Sequence, residues 1–144
     1  MGAEHQASSQ SRTGCLKLLV PGAPDMLWRV RKGIRDLGLP PPLLENAVLL
    51  VNELVTNSIR HAGLGPEEQI RIRADWSGRR LRVDVYDRPE TAAPSRVAGS
   101  IRPSPGAESG WGLYLIDRLA TRWGTGPGRY WFELELGRSE EETA

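Results

Sequence analysis

The chain has only one cysteine, Cys15, among its 144 residues, so no disulfide can form within it. It also lacks an apolar run long enough to span a bilayer, and its first residues show no hydrophobic core of a secretory signal. These absences predict a cytoplasmic protein without a membrane segment. Cys15 itself falls in an apolar stretch, which favours a buried strand position over a reactive thiol.

Strong net charge is absent as well. Nineteen basic side chains nearly balance eighteen acidic ones, so no general field attracts nucleic acid or anionic lipid. We therefore expect partners to be recognised locally and do not expect direct nucleic-acid binding. A basic helix carrying Arg31 and Arg35 leaves that hypothesis open, although such charges more often form a solvated face.

The length fits one domain with a two-layer core. Residues 1–14 are rich in Ser, Gln and Gly and predict a disordered tail, and residues 139–144 predict a frayed acidic end. The domain between them, residues 15–138, shows strand and helix periodicities in turn. The predicted elements are a strand at 15–20, helices at 26–37 and 43–62, a hairpin of Gln69–Trp76 and Arg80–Tyr86, a helix from Gly110 and a strand at 130–136.

This order predicts an α/β protein, more narrowly an α+β two-layer sandwich, with a mixed sheet covered on one face by about three helices. Residues 88–109 contain four prolines and no periodicity. A segment of that length is longer than ordinary connections in a compact domain, which is typical of a lid or a disordered loop.

A polar stripe runs along the second predicted helix. Glu53, Asn57 and His61 stand four residues apart, so each step turns the side-chain direction by only about 40°. The stripe borders the apolar face, where it can line a cleft. Glu53 can then accept a proton and Asn57 can offer a hard oxygen to Mg²⁺. From spacing alone, an ordinary amphipathic helix remains the commoner explanation.

Two further features carry candidate chemistry. Asp87 ends a predicted strand, where a carboxylate can accept a hydrogen bond from an exocyclic amine, although a turn aspartate is equally ordinary. The glycines of Gly110-Trp111-Gly112-Leu113 precede a helix, where backbone N–H groups can approach phosphate. A flexible loop with a helix cap would have the same composition.

Taken in order, Glu53 to Gly63, Asp87 and the segment from Glu108 to Leu113 make the sequence resemble the GHKL ATPase superfamily. Within it, the chain resembles the anti-sigma-factor serine/threonine kinases and the related actinobacterial regulatory ATP-binding proteins. The resemblance implies a Bergerat-type ATP-binding fold with residues 88–109 as the ATP lid. It also implies the following roles: Glu53 as general base, Asn57 as magnesium ligand, Asp87 as the carboxylate that recognises adenine, and His61, Gly110, Trp111, Gly112 and Leu113 as further parts of the ATP site.

ATP and Mg²⁺ are the cofactors that the resemblance implies. It also implies two partners, a sigma factor and an anti-anti-sigma protein that is phosphorylated on serine or threonine, and the pairing of two chains into a homodimer. Two positions depart from the family pattern: Arg88-Pro89-Glu90 follows Asp87 where a glycine is common, and Arg129 stands nearest to a usual threonine. These departures keep an alternative open, a module without catalysis that inhibits a transcription factor by sequestration.

Overall fold

A computed structural model describes residues 13–61, 68–89 and 111–137. The predicted N-terminal tail, most of the predicted lid and the C-terminal end lie outside these ranges. So do Arg96 and Arg102 of the predicted lid, which the resemblance offers as unassigned phosphate contacts and for which a role as solvated loop arginines is at least as good an explanation.

The described strands form one sheet in the spatial order β1–β2–β3–β5–β4. Their side chains alternate between a buried face and an outer face, as the period of two requires. Ile72 on β2, Val83 on β3 and Phe132 on β5 are all fully buried and form the centre of the core. The strands are β1 Gly14–Pro21, β2 Gln69–Trp76, β3 Arg80–Tyr86, β4 Arg122–Gly126 and β5 Arg129–Glu135.

Three helices cover the apolar face of the sheet: α1 Leu27–Arg35, which follows a 3-10 turn at Pro24–Met26, α2 Pro41–His61 and α3 Trp111–Leu119. The longest helix, α2, begins at one of three consecutive prolines, where proline's missing N–H and fixed φ are tolerated. Its residues Ala47, Leu50 and Leu54 are at most 1% exposed and seat it on the sheet. The predicted two-layer α+β sandwich with three helices is confirmed.

The sheet is antiparallel at every described pairing, which corrects the predicted mixed sheet. The reason lies in the connections. Two consecutive helices lie between β1 and β2, and the last residue of β1, Pro21, pairs with the first residue of β2, Gln69, so the chain returns to the end where β1 finished. The next strand must then run in the opposite direction.

The sequence prediction also missed β4, Arg122–Gly126. This edge strand contains two glycines and is followed by Pro127, a composition that is typical of a turn. Packing favours glycine at position 124, since a Cβ there would stand 3.1 Å from the Trp131 ring, closer than an ordinary contact. The strand pairs with β5 despite a composition of low strand propensity.

Cys15 lies exposed on the outer face of β1, which corrects its predicted burial. Asp75 accepts a hydrogen bond from the thiol and raises the pKa of Cys15. A thiol with a raised pKa is a poorer nucleophile at neutral pH, so the expectation that Cys15 is not reactive agrees with its surroundings. None of the described helices has the length and apolar content needed to cross a membrane.

Candidate functional site

The polar stripe of α2 lies at the border of the core, as the sequence predicted. Glu53 and Asn57 are half-buried, whereas the neighbouring Ser58 is 1% exposed and belongs to the buried side. His61 is the last residue of α2, and its side chain is outside the part of the structure described. The stripe is therefore defined by Glu53 and Asn57.

Glu53 lies against the beginning of α3. A Cβ placed on Gly112 would stand 3.3 Å from Glu53 Oε2 and 3.5 Å from Glu53 Cβ. Glycine at this position thus lets the first turn of α3 approach α2 closely. The first turn of a helix presents unpaired backbone N–H groups and a positive dipole end, which favour phosphate. The structure therefore places Glu53, the predicted general base, beside Gly112 of the predicted glycine segment.

Asp87 ends β3 and is only 7% exposed. Its backbone N–H and that of Arg88 both donate to the Gly128 carbonyl, at 3.2 and 3.3 Å. Burial raises the pKa of the Asp87 carboxyl, and the Ser58 hydroxyl and the Arg88 charge oppose that rise. Arg88 Nε lies 3.6 Å from Asp87 Oδ1, longer than a hydrogen bond.

Ser58 Oγ and Asp87 Oδ1 are buried and complete no hydrogen bond of ordinary geometry with any described residue. The hydroxyl is close enough to influence the carboxylate electrostatically, but both atoms keep unused hydrogen-bonding capacity. Buried polar atoms without partners are rare and suggest a ligand or an ordered water. A ligand amine could donate to the carboxylate, and the hydroxyl can either donate or accept.

Ser58 is the site residue that the sequence interpretation missed. It immediately follows Asn57 and is five residues from Glu53, which corresponds to about 7.5 Å along the helix axis. One helix therefore contacts both Gly112, through Glu53, and the Asp87 region, through Ser58. The available signal was a small hydroxyl at a core position of an otherwise apolar helical face.

Other predicted site residues are placed less fully. Gly110 lies outside the described residues, as does the side chain of Trp111, while Leu113 is partly buried against the core. Arg129 is directed to the outer face of the sheet. Its Nη1 donates to Tyr86 Oη at 2.7 Å and lies 3.2 Å from Asp84 Oδ1. It therefore does not take the place of a threonine beside Asp87.

Volume alone does not mark this site. A hollow of about 980 Å³ opens at the opposite face of the sheet around Arg80, Arg82 and Glu133. Its carboxylates are engaged, since Glu133 is paired with Arg82 and Arg122, and Glu135 with Arg80. Among the described residues, the buried side-chain atoms without a hydrogen bond are Ser58 Oγ and Asp87 Oδ1, which lie together beside α2, and Arg129 Nε on the outer face. The pair beside α2 combines an acceptor with a hydroxyl that can donate or accept, which makes it the candidate ligand site.

The donor set fits magnesium only as an ion delivered with phosphates. Asn57 supplies one hard amide oxygen, and no cluster of three His, Cys, Asp or Glu residues is found among the described side chains. Mg²⁺ commonly takes one or two protein ligands together with phosphate oxygens and water. Asn57 is consequently the residue that would contact such an ion.

These features define a class, an α+β sandwich in which one helix carries the polar residues and a buried carboxylate follows a central strand. Residues 20–129 match the family described as the histidine kinase-like ATPase domain. The match covers more than half of the chain, and the chain belongs to this family of the GHKL superfamily. No curated protein matches the chain.

Proposed function

We propose that the chain is an ATP-binding regulator of the anti-sigma-factor type, acting as a serine/threonine protein kinase on an anti-anti-sigma protein. The observation that carries the proposal is the contact between the Glu53 carboxylate and Gly112 at the start of α3. It puts a proton acceptor beside a helix end suited to phosphate.

In this proposal the adenine and phosphate ends of ATP are held by different parts of the chain. Asp87 Oδ1 accepts the adenine amine hydrogen, and Ser58 supports that contact from α2. The first turn of α3 would hold phosphate oxygens, and Asn57 would contact a Mg²⁺ ion that neutralises their charge. The adenine end would be supported by Ser58 and the phosphate end by Asn57, and both residues belong to α2. A single rigid helix therefore fixes the distance between the two ends.

ATP supplies the γ-phosphoryl group. Glu53 accepts the proton of the partner's serine or threonine hydroxyl while the oxygen of that hydroxyl bonds to the γ-phosphorus. The bond between the γ-phosphorus and the bridging oxygen breaks, and ADP leaves with the electron pair of that bond. Positioning and charge neutralisation, not covalent chemistry by the protein, account for most of the acceleration in such transfers.

The proposal has three further parts: sequestration of a sigma factor, release of the antagonist when it is phosphorylated, and pairing of two chains. They are supported by the resemblance to the anti-sigma-factor kinases. Family membership by itself supports ATP binding and extends no further.

A second candidate function is a binding module without catalysis. It is favoured by the segment after Asp87, where Arg88 and Pro89 replace a flexible glycine, and by Arg129, which is engaged with Tyr86 and Asp84. These features would restrict how the adenine loop adapts to nucleotide. Inhibition of the transcription factor would then require only surface contact.

Calorimetric titration with ATP, in the presence and absence of Mg²⁺, tests the nucleotide site. We expect magnesium-dependent binding that Asn57→Ala weakens, because the metal loses its protein oxygen. Glu53→Gln is the matched control. It preserves size beside Gly112, so ATP should bind as in wild type.

Phosphate transfer is then followed with γ-labelled ATP and the purified anti-anti-sigma proteins encoded in the same genome. Glu53→Gln should lower labelling by about 10²–10⁴-fold, the usual contribution of a general base. ATP binding without labelling of any antagonist, while the transcription factor is still inhibited, would favour the non-catalytic module. Absence of ATP binding in the wild type would overturn the kinase proposal and favour the non-catalytic module.

A further inference from the structure

Ser58 is a polar residue on the buried side of α2. Its side chain is 1% exposed, as are those of Leu54 and Val55 in the preceding turn. Ala47, about three helical turns earlier, lies on the same face of the helix and is fully buried. The core at this face therefore accepts a small side chain without a polar atom, and a buried hydroxyl without a hydrogen bond lowers stability. Packing alone does not account for the hydroxyl of Ser58.

The Asp87 carboxylate lies beside this hydroxyl. Burial raises the pKa of Asp87 and the Ser58 hydroxyl opposes that rise, so the two groups are close together. Neither Ser58 Oγ nor Asp87 Oδ1 completes a hydrogen bond with a described residue. The backbone that carries the carboxylate is held in place, because the N–H groups of Asp87 and Arg88 donate to the Gly128 carbonyl. Two polar atoms, one on α2 and one after β3, thus adjoin each other with hydrogen-bonding capacity left over.

The two atoms differ in what they can bind. An ionised carboxylate only accepts hydrogen bonds, whereas a hydroxyl also has one proton to donate. A ligand that satisfies both must present a donor and, next to it, an acceptor. Adenine presents this pattern at its 6-amine, whose N–H groups donate while the neighbouring ring nitrogens N1 and N7 accept. Guanine has a carbonyl oxygen in the place of that amine, and two acceptors cannot share a hydrogen bond.

We infer that Ser58 is a specificity-determining residue of the nucleotide site, whose hydroxyl donates a hydrogen bond to a ring nitrogen beside the adenine 6-amine. The inference rests on the proposed function, in which Asp87 Oδ1 accepts the amine itself. Ser58 and Asp87 then recognise two neighbouring atoms of one base. A base that lacks either atom leaves a buried polar group of the protein unpaired, which is the strongest form of discrimination between similar ligands.

Three ATP analogues test this assignment in calorimetric titrations of the full chain. The first has CH in place of N1, the second has CH in place of N7, and the third is purine riboside triphosphate, which lacks the 6-amine. We expect one of the two deaza analogues to bind the wild type about tenfold more weakly than ATP, because the Ser58 proton then has no acceptor. The analogue that loses affinity identifies the nitrogen.

Ser58→Ala should weaken ATP binding about tenfold, and the variant should bind ATP and that deaza analogue within about twofold of each other. The loss of affinity on removal of the 6-amine should be the same in the variant as in the wild type, because Asp87 still accepts that amine. Without nucleotide, the variant should melt no lower than the wild type, since an unpaired buried hydroxyl has been removed.

Ser77→Ala is the matched control. It makes the same substitution in the turn between β2 and β3, where Ser77 Oγ accepts from the Arg80 N–H at 3.0 Å and donates to the Arg80 carbonyl at 3.2 Å. This variant loses hydrogen bonds outside the candidate site. Its affinities for ATP and for the three analogues should therefore stay in the wild-type order.

Equal binding of ATP and both deaza analogues by the wild type would overturn the inference and leave the proposed function standing. The same holds if Ser58→Ala keeps the full deaza penalty, or if the effect of the 6-amine shrinks in that variant, since Ser58 would then act by positioning Asp87. Absence of ATP binding by the wild type is a different result, because it overturns the proposed function on which the inference rests.

Discussion

At the scale of single residues, the Asp87 carboxylate links stability to binding. Burial raises its pKa, so the native state holds the Asp87 proton more tightly than the unfolded chain does. Ionisation of Asp87 therefore lowers stability at pH values above the raised pKa. That penalty is relieved as pH falls through the raised pKa, and it is gone below the unfolded value of about 3.9.

We predict that Asp87→Asn melts at a higher temperature than wild type at neutral pH, with the difference closing as pH falls through the raised pKa and gone below about 4. The same change should weaken ATP binding about tenfold or more, because a charged acceptor of the adenine amine is lost. Thermal melts across pH and calorimetry with ATP measure the two effects. A variant that melts lower than wild type at neutral pH would show that the Ser58 and Arg88 contributions outweigh burial.

At the residue level, the sequence could predict placement where chemistry coincides with periodicity, whereas the chemical roles of those residues stay predictions. Glu53 and Asn57 could be placed together because helical spacing fixes their direction. Ser58 could not be assigned, because a serine at a core position of an apolar helical face marks an unusual residue but does not identify its partner until the chain brings Asp87 to it. Likewise, the glycine at 112 became informative only when the structure placed it against Glu53.

At the scale of elements, the turn between β4 and β5 supports the end of β3. Gly128 has φ of +65°, and a Cβ there would overlap the carbonyl oxygens of Arg88 and Pro89. Its carbonyl also accepts the backbone N–H groups of Asp87 and Arg88. The position of the Asp87 carboxylate thus depends on a strand that the sequence pattern did not reveal.

We predict that Gly128→Ala lowers stability by more than about 1–2 kcal/mol, which is the cost of a left-handed conformation for a residue with a Cβ, because the steric overlap adds to that cost. ATP affinity should fall together with stability, since the Asp87 segment must shift. Urea unfolding and ATP calorimetry provide the two measurements.

Gly38→Ala is the control for that change. Gly38 has φ of +75° at the end of α1, and no described atom lies within 4 Å of the position that a Cβ would take there. The variant should show the conformational penalty alone and retain wild-type ATP affinity. Equal losses of ATP affinity in both variants would mean that Gly128 acts through stability and does not position Asp87.

Two features of the fold departed from prediction, the antiparallel direction of the strands and the existence of β4, and they share a cause. Strand direction and the existence of β4 are set by how the chain returns after its helices and by the Trp131 ring above Gly124. Neither is encoded in local periodicity. By contrast, the β2–β3 hairpin and α2 were predictable, because strict alternation and a long apolar helical face identify them within one window.

At the scale of the whole molecule, α2 connects the two halves of the candidate site to the core. Its apolar face packs on the sheet, Glu53 contacts the start of α3, and Ser58 adjoins Asp87 at the end of β3. A ligand that binds both Asp87 and the α3 terminus would tie sheet and helices together. Its binding energy would therefore add to global stability and not only order a loop.

We predict that ATP with Mg²⁺ at about one hundred times its dissociation constant stabilises the fold by about 2.7 kcal/mol, because ligand binds the native state alone. For a chain of this size, that corresponds to a rise in Tm of about 5–10 °C in a thermal melt. GTP at the same concentration should give a much smaller rise, since its base presents a carbonyl oxygen to the Asp87 carboxylate where adenine presents a donor. Equal stabilisation by both nucleotides would show that the phosphates alone are recognised, and Asp87 would then have no role in selecting the base.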